Sequence, residues 1–234
     1  MRIQDQPAYI LHHRAFRDTS QILDVITPDY GRMSLMSRGS RATKSRLKSI
    51  LQPFNPLFVN WSGKGEMPLL TAAEPQLVQL ITLTGKALPC AFYVNELLIR
   101  LMHKHDVNED VFYLYESVIR LLSDKHPLEP VLRLFEKQLL ETLGFGLNLR
   151  VNAQTGEAVL PGGEYAYYLE HGPVETSAVL DEAYILKLSG QSLIDLSANT
   201  LNSAQSLKDA KRLMRSILNY YLDGKPLKSR ELFR

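Results

Sequence analysis

Cysteine is almost absent from this chain: Cys90 is the single one among 234 residues. One thiol excludes an intrachain disulfide and a cysteine-based zinc site. Cys90 sits in an apolar helical pattern, where it reads as a small buried hydrophobe. No run of about 20 apolar residues occurs, so no membrane-spanning helix is expected. The opening Met1-Arg2-Ile3-Gln4-Asp5 has no apolar leader core, and a soluble cytoplasmic protein is expected. Disorder is not expected either, because hydrophobic residues make up 45% and charged residues 22% of the chain.

Catalytic patterns are equally scarce. There is no nucleophile-elbow motif, and Gly63-Lys64-Gly65 lacks the spacing and following hydroxyl of a phosphate loop, so it reads as a hairpin turn. His103-Lys104-His105-Asp106 lies at a helix end with no further metal ligand in view. His12 and His13 are neighbours on a strand and point to opposite faces, so both cannot join one site. Asp18, Asp24 and Asp29 are too scattered for the carboxylate cluster of a metal-dependent nuclease. The chain is therefore not expected to be an enzyme, nor to carry a metal or other cofactor.

Net charge is small, formally +2, yet it is unevenly spread. Residues 1–66 carry ten Lys/Arg against five Asp/Glu, residues 67–204 nine against seventeen, and residues 205–234 eight against three. A basic head and a basic tail bracket an acidic middle, which points to an anionic partner met by the ends.

The first seventy-odd residues read as strands. Tyr9, Leu11 and His13 alternate with Ile10 and His12; Ile22 to Thr27 is apolar and β-branched; Pro28-Asp29-Tyr30-Gly31 supplies a turn. Met33, Leu35 and Ser37 alternate with Arg32, Ser34, Met36 and Arg38. Phe54 to Trp61 and Met67 to Thr71 follow, with Pro53 and Pro56 confined to a strand end, edge or bulge. About five short strands fit a small closed barrel of the OB type, which leaves no edge exposed.

From Glu74 the apolar period lengthens to about 3.6. Leu88, Ala91, Phe92, Leu98, Leu101 and Met102 form one expected helical face. A second helix starts after the cap Asn108 and buries Val111, Leu114, Tyr115, Val118 and Leu122. A third, after Pro127 and Pro130, carries Leu132, Phe135, Leu139 and Leu143 and stops at Gly144. Residues 145–180 are turn-rich and partly strand-like, with Tyr165, Tyr167 and Leu169 alternating, and read as an irregular insert. The last helix opens on a capping-box-like Ser206 and Asp209, buries Leu207, Ala210, Leu213, Met214, Ile217, Leu218 and Tyr221, and ends at Gly224. Its other face carries Lys208, Lys211, Arg212 and Arg215. The class is α+β, with an OB-fold barrel over 1–78 and a mainly helical domain over 79–234.

One segment stands apart. Arg38, Arg41, Lys44, Arg46 and Lys48 fall within eleven acid-free residues, interleaved with Gly39, Ser40 and Ser45 and followed by Ser49. Such a loop between barrel strands is suited to wrapping a phosphate backbone, each contact releasing counterions. Phe16, Tyr30, Phe58 and Trp61 are candidate base-stacking residues, although Phe58 and Trp61 also suit a barrel core.

Ordered along the chain are Ala8-Tyr9-Ile10-Leu11-His12, Arg14, Asp18-Thr19-Ser20, Leu23-Asp24-Val25, Gly31-Arg32 and Ser37-Arg38-Gly39-Ser40-Arg41. Further on come Leu51-Gln52-Pro53-Phe54-Asn55-Pro56-Leu57, Tyr93-Val94-Asn95-Glu96-Leu97-Leu98, Leu143-Gly144-Phe145-Gly146-Leu147 and Gly224-Lys225-Pro226-Leu227-Lys228-Ser229-Arg230-Glu231-Leu232. This ordered set resembles the RecO family, except across about 150–200. The resemblance implies a cytoplasmic, nucleoid-associated recombination mediator that binds single- and double-stranded DNA and anneals complementary strands without ATP. It further implies work with RecR to load RecA onto strands coated by single-stranded-DNA-binding protein (SSB), whose acidic, apolar C-terminal tail it binds. Carried onto this sequence, Arg14, Arg32, Arg38 and Arg41 would face DNA together with Lys44, Arg46 and Lys48. Leu132, Arg133 and Phe135, with Lys208, would take the SSB tail. Some members hold zinc on four cysteines in the insert; residues 146–183 here have none, so a zinc-free insert packed by Tyr165, Tyr167, Tyr168 and Leu169 is expected. The alternative is a non-catalytic scaffold whose barrel docks proteins rather than DNA.

Overall fold

Strand β1 (Arg2–Phe16) is fifteen residues long and is followed by β2 (Ser20–Thr27), β3 (Gly31–Ser37), a one-turn helix α1 (Leu47–Ile50), β4 (Leu57–Ser62) and β5 (Leu69–Pro75). These come from a computed structural model that describes residues 2–76, 81–178 and 184–233. Pairing runs β1-β2-β3-β5-β4 and returns from β4 to β1. All of it is antiparallel except β3 with β5, which meet at the single pair Met36 and Leu69. The Met36 N–H also donates to the Pro68 carbonyl at 2.8 Å. Pro68 has no N–H to return, so the ladder cannot extend there. The fully closed barrel expected from sequence is thus corrected to a five-stranded, OB-type sheet that comes round on itself through a narrow seam.

Two faces of β1 and β2 are buried at once. Ala8, Ile10, Leu23 and Val25 join Met33, Leu35, Leu57, Val59, Trp61, Leu70 and Ala73 inside the barrel. Tyr9, Leu11, Ile22 and Ile26 are also buried, on the other face. Two-sided burial explains why these strands read as apolar runs rather than clean alternation. Helices α2 (Ala87–Leu101) and α3 (Glu109–Ser123) cover that outer face. Tyr9 packs on Phe112 and Tyr115 with ring centroids 5.6 and 5.1 Å apart, and its hydroxyl donates to Glu116 at 3.0 Å. Burial, then Glu116, pushes the Tyr9 phenol well above its ordinary value, so it stays a donor. Asn108 caps α3 as expected, accepting from the Val111 N–H at 3.1 Å.

Gly31 shows why the connection between α2 and α3 lies flat on β3. Its φ is +61°, and a Cβ there would run into the Asp106 carbonyl. The buried face of α2 is Cys90, Ala91, Val94, Leu97, Leu98 and Leu101, while Leu88 and Phe92 are more than a third exposed. The expected stripe is therefore rotated, with Phe92 set edge-on against Phe54 at 5.0 Å.

Packing divides the chain into two compact units, Met1–His126 with Leu227–Arg234, and Pro127–Pro226. The boundary expected at 78/79 lies outside the described residues. α2 and α3 nevertheless share a unit with the barrel, because the outer apolar face of β1 and β2 needs cover. The returning tail forms a 3-10 turn, Lys228–Phe233, beside α2. Glu96 accepts the N–H groups of Lys228 at 2.9 Å and Ser229 at 2.8 Å, and Leu227 is buried. Leu232 is 53% exposed.

The second unit contains α4 (Leu128–Thr142), β6 (Glu164–Tyr168), β7 (Gly172–Glu175), β8 (Leu186–Ser189), α5 (Gly190–Ser197) and α6 (Ala204–Tyr221). The expected irregular insert instead holds an antiparallel sheet in the order β7-β6-β8, part of the insert (179–183) lying outside the described residues. Tyr165 and Tyr167 are buried in it, and Tyr168 and Leu169 are half-buried. The cap of α6 is Ser203, not Ser206: the Ser203 hydroxyl accepts from the Ser206 N–H at 2.9 Å. Asp209 is buried and accepts from Ser192 at 2.9 Å and Gln205 at 3.0 Å, while the Ser206 hydroxyl donates to Asp195. Helix α5 was not read from the sequence; this polar knot ties it to α6.

The Glu96 clasp has a testable consequence. Burial pushes its carboxyl up, but the Ser229 and Lys228 hydrogen bonds and Arg100 more than offset this, leaving it below the usual carboxylate range. Such a group contributes stability above its unfolded value of about 4.3 that is lost as pH falls through the lower folded value. Glu96→Ala is expected to lower stability by about 1–2 kcal/mol near neutral pH. In urea melts over a pH series, the gap from the parent should close as the solution becomes more acid than the ordinary carboxylate range.

Candidate nucleic-acid interface

Strand register builds the site. Inside the barrel, Val25 lies opposite Met33 and Leu23 opposite Leu35; the same row continues with His13 opposite Leu23 and with Ala15 and Ser37 on either side of Gln21. His13, Ala15 and Gln21 thus carry the interior face past the hydrophobic core, to the barrel mouth. The segment after β3 folds over them. Its Arg41 N–H donates to the Thr19 carbonyl at 2.8 Å, and the Ser40 hydroxyl to the Ser37 carbonyl at 3.2 Å. Successive turns (Ser45 N–H to Ala42 at 2.9 Å, Lys48 N–H to Ser45 at 3.2 Å) lead into α1. Leu51, only 1% exposed, then plugs the core. The result is a cleft of about 390 Å³ lined by His13, Ala15, Gln21, Ser40, Arg41, Lys48, Leu51 and Gln52.

Of the residues expected to meet DNA, Arg41 and Lys48 line this cleft. Arg38, Lys44 and Arg46 are exposed on the same segment. No carboxylate of the described residues pairs with any of these five. Of the loop serines, Ser40 is buried, while the exposed Ser49 bonds the Arg46 carbonyl at 3.1 Å. Arg14 is exposed but lies on the face of β1 opposite His13 and Ala15.

Arg32 is not available as expected. Its Nη1 donates to the Met102 carbonyl at 2.7 Å, and its own carbonyl accepts from the His105 N–H at 2.8 Å. Burial pushes the guanidinium below its usual value, against the pull of Asp24. Arg32 fastens the end of α2 to the barrel. Stacking candidates are also displaced. Trp61 is 2% exposed in the core with Tyr30 edge-on at 5.1 Å, whereas Phe58 and Phe16 lie on outer faces.

The four residues expected to take an SSB tail do not form an open pocket. Leu132 and Phe135 are buried in the second unit. The Arg133 side chain, 11% exposed, donates to the fully buried Glu136 at 2.6 Å. A buried guanidinium is tolerated only with such a partner. Lys208 alone of the four is exposed, on α6 with Lys211, Arg212 and Arg215. Lys211 meets Glu129 at 2.8 Å and Arg212 meets Asp209 at 3.4 Å. Among the described residues, no three or more His, Cys, Asp or Glu side chains gather as a metal-holding group, and no helix is long and apolar enough to cross a membrane.

A family model for the N terminal of recombination protein O matches residues 1–77, and one for its C terminal matches residues 83–231. The DNA repair protein RecO of Azoarcus sp. (strain BH72) is 41% identical over 234 residues, spanning 100% of this chain and 96% of the relative. The chain belongs to the RecO family. That of Nitrosococcus oceani is 41% identical over 232 residues (99% and 93%), and that of Cupriavidus metallidurans 36% over 232 residues (99% and 77%). RecO is a DNA repair family and not a known class of enzyme, which places this chain in DNA repair.

The cleft residues His13, Gln21 and Gln52 were not picked out from sequence. His13 and Gln21 could have been, since both fall in register with the interior row of the RecO-type barrel. The placement of Arg32 yields a clear expectation. Arg32→Ala should cost about 1–3 kcal/mol of stability, from the lost charged hydrogen bond. In thermal melts and single-strand binding run side by side, affinity should stay within about twofold of the parent once unfolding is allowed for.

Proposed function

We propose that this chain is a recombination mediator that binds single- and double-stranded DNA through the barrel mouth and the acid-free loop of residues 38–48. It anneals complementary strands without ATP. With RecR it helps load RecA onto single strands coated by SSB, holding the SSB C-terminal tail as it does so. The barrel, residues 1–78, is the nucleic-acid-binding domain, and residues 79–234 form the protein-binding body. The chain performs no covalent chemistry, needs no cofactor or metal, and works in the cytoplasm at the nucleoid.

The observation that carries this reading is the set of five exposed cations, Arg38, Arg41, Lys44, Arg46 and Lys48, none paired with a carboxylate of the described residues, beside an open cleft with no carboxylate in its wall. Arg41 also donates to the Arg17 carbonyl at 3.3 Å. Phosphates displace counterions onto such a surface. Neutralising both strands lowers their mutual repulsion, which is the barrier a strand-annealing protein must reduce. Family membership supports a repair role, and the resemblance described above supports RecR and SSB as partners. The outward cations of α6, Lys208 and Arg215 first, suit an acidic peptide tail.

The test is fluorescence anisotropy with labelled single-stranded DNA across a salt series. Five phosphate contacts give an expected slope of about −3.5 in log affinity against log salt, at about −0.7 for each. A variant with Arg38, Arg41, Lys44, Arg46 and Lys48 all changed to Glu should lose both the slope and most of the affinity while keeping its fold. Equal binding by both proteins would move the DNA contact elsewhere. Binding by neither would make the barrel a protein-docking surface.

A further inference from the structure

We infer that the cleft at the barrel mouth holds one unstacked nucleotide of a bound single strand, its base inside and its phosphate on Arg41 and Lys48. This rests on the DNA-binding reading above and adds how single strands are told from duplex.

Size is the first argument. At about 390 Å³ the cleft lies at the small end of the range for small-molecule pockets. That is room for one base, and a base of a duplex could enter only by leaving its stack. Wall chemistry is the second. Ala15 and Leu51 are apolar, while the Gln21 amide carries donors and an acceptor, as a base edge requires; Gln52 spends one N–H on the Lys48 carbonyl at 2.8 Å and keeps its amide oxygen. The Gln21 residue is only 5% exposed, and what remains open of it lines the cleft, where its amide can meet a base edge.

Charge supplies the third argument. The titratable wall residues are His13, Arg41 and Lys48, with no acid among them, so an attached phosphate is matched and not repelled. Planar groups are the fourth. Trp61 is sealed in the core, so the flat surfaces left at the mouth are the His13 imidazole and the Arg41 guanidinium, both able to lie against a base. Duplex DNA offers the same phosphates to the loop but keeps its bases stacked. Single strands therefore gain one contact that duplex lacks, while their remaining bases stay free to pair.

The experiment uses the full chain with three probes: thymidine monophosphate, inorganic phosphate, and matched single-stranded and duplex oligonucleotides. Ala15→Trp fills the cleft from an exposed strand position without entering the core. Gln21→Leu keeps the wall's volume and removes its amide, and serves if the tryptophan variant fails to fold. For the parent, the mononucleotide should bind more tightly than inorganic phosphate. Ala15→Trp should abolish that preference and lower single-strand affinity roughly tenfold, with duplex affinity changed by less than about twofold. Gln21→Leu should weaken the mononucleotide and leave phosphate alone. A folded Ala15→Trp or Gln21→Leu protein whose single-strand to duplex ratio equals the parent's overturns the inference and leaves the loop as the DNA site. A parent that binds neither oligonucleotide overturns the DNA-binding reading itself.

Discussion

Strand β1 holds both edges of the barrel, and the rest of the first unit follows from that. Its first half, Arg2 to Ala8, pairs with β4, and its second half, Tyr9 to Phe16, with β2. One strand can serve two neighbours in this way only if it bends. Irregularities between Ile3 and Gln6 and between Ile10 and His12 supply the bends, with Asp5 at φ +51° in the first. Leu11 sits in the second, outside the ladder, and its freed carbonyl accepts the Asn95 amide of α2 at 2.7 Å. The same strand runs on past the hydrophobic core, so His13 and Ala15 are left with no core to cover and become the floor of the mouth.

Cations in this protein fall into two physical states. Arg32 and Arg133 are largely withdrawn from water, each held by a carbonyl or carboxylate partner, and they serve the fold. Arg38, Arg41, Lys44, Arg46 and Lys48 stand in solvent on a segment that contains no acid. The second group keeps its field directed outward, where a polyanion gains by displacing ions. Exposure and pairing, rather than residue type, separate the two.

Much of this was legible in residue order. Apolar period and turn chemistry marked the strands, the helices and their stops at Gly144 and Gly224, and the acid-free run marked the loop. Other features were hidden for physical reasons. Strands β1 and β2 are buried on both faces, so alternation could not tell interior from exterior there, whereas β4 alternates and puts Trp61 on the core face with Leu57 and Val59. Arg32 and Arg133 look like surface residues in sequence, because a carbonyl 70 residues away or a carboxylate one turn on is invisible to local pattern. Alternating Tyr165 and Tyr167 hinted at β6, but β7 and β8 are segments of four residues with turn-rich flanks, too short to show a period. Ser203 was passed over as a cap because Ser206 and Asp209 share its chemistry and are instead spent on the knot with α5.

Amide hydrogen exchange with and without a single-stranded oligonucleotide tests most directly whether the barrel mouth is the DNA face. The expected result is slower exchange over residues 13–23 and 38–52, with the outer face around Arg32 unchanged. Protection confined to α6, with the loop exchanging as in the free protein, would contradict it.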